Sequence, residues 1–133
     1  MRQAHPVKVE RMDSVYELYT RGCDLLDHGD HMAAIVPLVR ARELEPGKTS
    51  IREALGRALF HAQHYERAAE EFQAIAAASP TNDYALFCLG RTMQLLGRHR
   101  EASRPLAIAC SMQPTRADYR LYRDRARRDA ARS

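Results

Sequence analysis

Gly47–Lys48–Thr49 has the residue types of a phosphate-binding loop, in which backbone N–H groups and a lysine cradle phosphates. The leading glycine of such a loop would fall at residue 42, which is Arg42. A phosphate loop also follows a strand, whereas the residues before Gly47 carry helical periodicity, so this segment reads as a turn. His28, His31, His61, His64 and His99 all fall near turns between predicted helices. Neighbouring imidazoles there can share a metal ion, but ring packing is the favoured reading and no metal is assigned. Cys23, Cys88 and Cys110 are odd in number and irregular in spacing, which argues against a disulfide framework and for small core residues. No nucleophile, base and orienting group stand together, so neither catalysis nor a cofactor is expected.

The remaining chemistry is recognition. Three predicted helices carry a stripe at spacings of three and four, which keeps each set on one face. The first stripe is Tyr16, Tyr19, Cys23 and Leu26. The second is Ser50, Glu53, Arg57 and Phe60, and the third is Tyr84, Phe87, Arg91 and Gln94. Aromatic rings beside arginines are what interfaces use as anchors; the alternative is that some of these rings only pack against the adjacent helix. A different pattern ends the chain. Tyr119, Tyr122, Ala126 and Ala130 form an apolar stripe, while Arg116, Arg120, Arg123 and Arg127 cover the opposite side.

A repeat sets the elements that must hold these stripes. Pro46, Pro80 and Pro114 stand 34 residues apart. In the same register recur Gly22, Gly56 and Gly90, then Ala34, Ala68 and Ala102, then Leu38, Phe72 and Leu106. Such a period is the signature of stacked helical hairpins. Glycine inside a helix costs about 1 kcal/mol against alanine, so its recurrence signals a neighbouring helix that approaches closely. The alanines answer the same demand from the second helices. Ser14 with Glu17 and Ser50 with Glu53 have capping-box spacing, and Asn82 and Thr115 with Asp118 supply further helix starts. Gly29–Asp30 and Gly97–Arg98 mark the turn inside a hairpin, and Gln63–His64 takes that place in the middle copy. Pro37 and Pro105 fall in second helices and predict a bend or a late helix start.

This pattern resembles the tetratricopeptide repeat family, over Val15 to Pro114. Two landmarks depart from it: Arg21 stands where later copies have Leu55 and Leu89, and Ile75 where the family has a small residue. The resemblance implies an all-α, right-handed α-solenoid. Its parts would be a flexible lead over residues 1–12, three hairpins over about 15–48, 49–82 and 83–114, and an Arg-rich capping helix over 115–133. It also implies that Tyr16, Tyr19, Glu53, Arg57, Phe60, Tyr84, Phe87, Arg91 and Gln94 line a concave groove for a partner's peptide segment. Arg57 and Arg91 would serve acidic side chains there, and the rings apolar ones. His31, Tyr65 and His99 are equivalent and match a place where the family packs an aromatic ring. One subtype of the family holds acidic C-terminal peptides of heat-shock chaperones with a clamp of Lys, Asn and Arg. The clamp positions here are Tyr19, Cys23, Ala54, Tyr84 and Cys88, so that ligand is not expected.

Charge supplies the runner-up. Residues 1–114 balance 14 basic against 14 acidic side chains, while residues 115–133 carry seven Arg and three Asp, so the net +4 lies in the tail. An arginine face can grip nucleic acid or an acidic partner, and it can equally cap a solenoid with polar surface; capping is the favoured reading. No apolar run is long enough to span a bilayer, and the first residues lack the apolar stretch of a secretory signal. An excess of Arg over Lys points to a GC-rich bacterial gene. The sequence therefore predicts a cytoplasmic, non-catalytic adaptor or scaffold that binds protein, with nucleic acid as the alternative partner and no membrane.

Overall fold

The computed structural model describes residues 14–132; the flexible lead expected over residues 1–12 lies outside them. The described residues form seven helices and no strand. They are α1 (Val15–Asp27), α2 (His31–Leu44), α3 (Thr49–His61), α4 (Tyr65–Ala78), α5 (Asp83–Leu95), α6 (His99–Met112) and α7 (Ala117–Arg132). Each helix packs on the next in the chain. The first six make three hairpins, and α7 stands where the first helix of a fourth hairpin would.

Inside each hairpin the glycine admits the partner helix. A β-carbon on Gly22 would lie 2.4 Å from Leu38, one on Gly56 2.7 Å from Phe72, and one on Gly90 2.4 Å from Leu106. Ala34, Ala68 and Ala102 are fully buried beside these crossings. The hairpin turns need a left-handed residue at one place in the register. Gly29 has φ 82°, Gly97 has φ 78°, and Gln63 takes the same conformation at φ 66° without being glycine.

Between hairpins a second face of each first helix is used. In α3 it is Ile51, Leu55 and Ala58, and in α5 Ala85, Leu89 and Thr92, all buried. The equivalent face of α1 is Glu17, Arg21 and Asp24, all exposed. Arg21 is thus the polar version of an apolar contact, with no preceding hairpin against it among the described residues. In α7 the same face carries Tyr119 and Ala126, fully buried on the third hairpin. The other face of α7 holds Arg120, Asp124 and Arg127 where α5 holds Leu86, the close-packing Gly90 and Met93. No helix among the described residues covers this face, and Arg120 and Arg127 are exposed on it.

Helix starts follow the same register, at residues 14, 48, 82 and 116. Ser14 and Glu17 form the capping box, with bonds of 2.9 and 3.0 Å, and Asn82 accepts from the Ala85 N–H at 3.0 Å. Two expected caps are corrected. Lys48 opens α3 with no side-chain cap, so Ser50 falls inside the first turn and Glu53 beyond it. Arg116 precedes α7, Thr115 lies in the turn before it, and Asp118 accepts from the Tyr119 N–H at 2.9 Å. The inter-hairpin connections fix where each helix begins, and polar residues elsewhere cannot move that point.

Pro37 and Pro105 are buried in helices that already begin at His31 and His99, so the late start does not occur. The middle copy has Glu71 at this place, only 3% exposed. Arg42 and Arg52 both donate to its carboxylate, the latter at 2.9 Å. This triad, with a buried carboxylate and two half-buried arginines, joins the first and second hairpins. Arg52 also donates to the carbonyl of Pro46 at 2.7 Å, and Arg120, two repeats on, does the same to Pro114 at 2.8 Å.

Candidate functional site

Because α1, α3, α5 and α7 are equivalent by repeat, their stripes fall on one side of the array. A cavity of about 390 Å³ opens there, lined from α3 by Arg57 and Phe60, from α5 by Tyr84, Phe87 and Arg91, and from α7 by Tyr122 and Asp118. Five of the nine expected groove residues meet in it. Tyr16 stands apart on α1, 75% exposed, while Tyr19 is half-buried against the core of the first two hairpins. Glu53 and Gln94 do not line the cavity.

Gln94 has become structural. It is 9% exposed, its amide donates to the Tyr122 carbonyl at 3.0 Å, and its oxygen accepts from Arg91 at 2.9 Å. Phe87 is likewise shared between groove and packing: its ring stacks on Tyr119 at 4.6 Å and meets Tyr122 at 5.7 Å. The Arg91 guanidinium lies 3.9 Å over the Tyr122 ring, and Arg125 lies 5.0 Å from the same ring. Burial disfavours the charged form of Arg91, and the neighbouring Arg125 charge adds to this. Phe60 meets His61 and Tyr65 edge-on. Tyr84 remains available at 36% exposure.

Cys88 and Tyr84 in the cavity, and Tyr119 beside it, stay neutral. Burial pushes the Cys88 thiol up to about 12, which leaves it protonated and unreactive at neutral pH. Burial, and then Cys88, pushes the Tyr84 hydroxyl up to about 12. Tyr119 is raised by burial and by its bond to Asp83, to which its hydroxyl donates at 2.8 Å. None of these can serve as a nucleophile or base near pH 7.

Sequence reasoning missed that α7 supplies a wall of this site through Asp118 and Tyr122, with Arg125 lying beside the Tyr122 ring. The signal was present, since the 34-residue step carries Tyr84 to Asp118 and Arg91 to Arg125. The four expected tail arginines are not one open face. Arg116 pairs with Asp118 at 2.7 Å and lies over the Tyr119 ring. Arg120 holds Pro114, and Arg123 turns inward to the Cys110 sulfur at 3.1 Å. Arg127 lies 4.0 Å from Asp124.

The histidines are placed by the repeat as well. His31 of α2 stacks on His61 of α3 at 4.7 Å, and His99 of α6 lies 3.9 Å from Asp129 of α7, the same thirty-residue step onward. Burial, then the His31 ring, lowers the pKa of His61. Among the described residues no three His, Cys, Asp or Glu side chains gather as a metal site.

Known proteins match this arrangement. Residues 19–83 match a family model described as tetratricopeptide repeat. Superkiller complex protein 3 of Mus musculus is 30% identical over 82 residues, a stretch that is 62% of this chain and 5% of that protein. This chain thus spans only about a twentieth of that relative. Among solved structures, MamA from AMB-1 superposes with a TM-score of 0.81 at 23% identity, over 90% of this chain and 65% of that one. The first TPR of Spaghetti (RPAP3), bound to the HSP90 peptide SRMEEVD, superposes with a TM-score of 0.82 at 14% identity, over 88% and 93%. The C-terminal TPR-containing domain of a Plasmodium falciparum FK506-binding protein gives 0.81 at 18% identity, over 90% of both chains.

Proposed function

Because the chain belongs to the tetratricopeptide repeat family, we propose that it is a non-catalytic interaction module, a cytoplasmic adaptor or scaffold, whose groove holds a segment of a partner protein. The observation that carries this reading is the cavity between α3, α5 and α7, where an accessible Tyr84 faces Arg57 and Arg91 over an apolar floor. Cavities of this kind, mostly apolar with a few convergent polar groups, are what ligand sites look like. A structurally similar protein holds a peptide, which supports the ligand class and not its sequence. The five clamp positions here are Tyr19, Cys23, Ala54, Tyr84 and Cys88, so the ligand is gripped by other means. Nucleic-acid binding through the tail has less support, because Arg116, Arg120 and Arg123 are each engaged within the fold.

Site-specific photocrosslinking tests the reading. A crosslinking side chain at position 84 should capture a partner protein, and one at exposed Val36 should not. Tyr84→Ala should weaken that partner by about 2 kcal/mol if the ring is an anchor. Capture from position 36 alone, or full affinity in the alanine variant, would move the site elsewhere.

A further inference from the structure

We infer that Arg57, Arg91 and Arg125 form a ladder that reads acidic side chains of a protein segment in the groove, making α7 a wall of the binding site as well as a cap. The inference rests on the groove reading above and names the chemistry of its occupant. The three arginines share one helical position in successive first helices, 34 residues apart. Arg57 and Arg91 line the cavity, and Arg91 and Arg125 lie against one Tyr122 ring at 3.9 and 5.0 Å.

Several other arginines of the fold have carboxylates. Arg42, Arg52, Arg98, Arg116, Arg123 and Arg132 each have one within 2.9 Å. Among the described residues no ion pair holds any member of the ladder, and Arg91 donates to the Gln94 side-chain oxygen and lies over the Tyr122 ring. Two like charges beside one ring, one of them, Arg91, partly withdrawn from water, repel each other, and an anion placed between them relieves this. The groove therefore presents charge that the fold itself leaves unanswered.

Carboxylates fit better than phosphates. Asp118 borders the same cavity and would oppose a dianion more strongly than a single carboxylate. Nucleic-acid bases need open ring faces for stacking. Here Phe87 is covered by Tyr119 and Tyr122 by Arg91. An extended segment with acidic residues spaced along it, and apolar ones for Tyr84 and Phe60, matches what is exposed.

Panning a phage library of random dodecapeptides on the full protein tests the ladder. Wild type should enrich peptides rich in Asp and Glu. The best of them, made synthetically, should bind the double variant Arg57→Gln/Arg125→Gln about ten- to a hundredfold more weakly. Neither side chain holds a hydrogen bond or ion pair that the variant would lose, and Arg57→Lys/Arg125→Lys should restore much of the affinity. A version of that peptide with Gln for each acidic residue should bind wild type and the Gln variant alike. If wild type enriches peptides without acidic excess whose binding is lost in Tyr84→Ala, the ladder is wrong and the groove stands. If nothing is enriched, the groove reading falls and takes the ladder with it. If a single-stranded oligothymidine binds wild type and not the Gln variant, the ladder reads phosphate and the inference is overturned.

Discussion

A β-carbon on Gly56 would sit 2.7 Å from the Phe72 ring, while one on Gly47 would meet nothing within 4 Å. Gly56→Ala should therefore cost about 1–3 kcal/mol in urea unfolding, and Gly47→Ala should change little. Gln63 pays a left-handed penalty that Gly29 and Gly97 avoid, so Gln63→Gly should raise stability by about 1 kcal/mol. An unchanged urea midpoint would show that the turn is not strained. His61 gives a pH dependence. Its folded pKa lies below the ordinary value, chiefly through burial. The unfolded chain then binds the extra proton, so His61's contribution is present above about pH 6.5 and is lost as the pH falls below it. Because His28 is shifted the opposite way by the Asp24 carbonyl, the readout is the difference between wild type and His61→Gln, which should be less sensitive to acid. The glycines and alanines were legible from sequence because their types recur at one spacing. Glu71 and Arg52 were not, since each replaces what other copies carry there, a proline and a leucine. Only in space do these two departures meet, with Arg42, as one triad. Glu71→Gln should cost about 1–3 kcal/mol by weakening bonds to two guanidinium groups.

At the scale of elements, α7 is the helix to which we assign two tasks, capping the third hairpin and walling the groove. Its apolar stripe was legible, because Tyr119, Tyr122, Ala126 and Ala130 follow helical spacing. Its basic face was harder to read, since the sequence cannot say whether an arginine meets solvent, a carbonyl or a sulfur. Arg120 meets Pro114 and Arg123 meets Cys110. Helix starts showed the same division: Ser14 and Asn82 cap as their types suggest, while Ser50 and Thr115 sit off the register that the connections impose. Ending the chain after Pro114 should uncover Phe87 and the faces of α5 and α6 that Tyr119 and Ala126 bury. A lower melting temperature and aggregation on heating should follow. Tyr119→Phe removes the hydroxyl's bond to Asp83 and the long one it accepts from Arg116, and should cost about 1 kcal/mol. Truncated protein that melts like the intact chain would show that α7 caps nothing.

For the whole molecule, the fold class was legible because one period governs the array, whereas the site needed the fold to bring α3, α5 and α7 together. No helix among the described residues is long and apolar enough to cross a membrane. Tyr84 and Cys88 stay protonated near neutral pH because burial raises both. The net charge of +4 sits in the last residues, so tail-driven binding would weaken steeply with added salt, and binding anchored by rings in the groove should weaken less. Amide chemical-shift mapping with the best peptide from the panned library locates the binding surface most directly. The account predicts shifts concentrated at Arg57, Phe60, Tyr84, Arg91 and Tyr122, absent in Tyr84→Ala. Shifts confined to Arg127 and Arg128 on the tail, or to Met32 and Val36 on α2, with the groove residues unmoved, would contradict it.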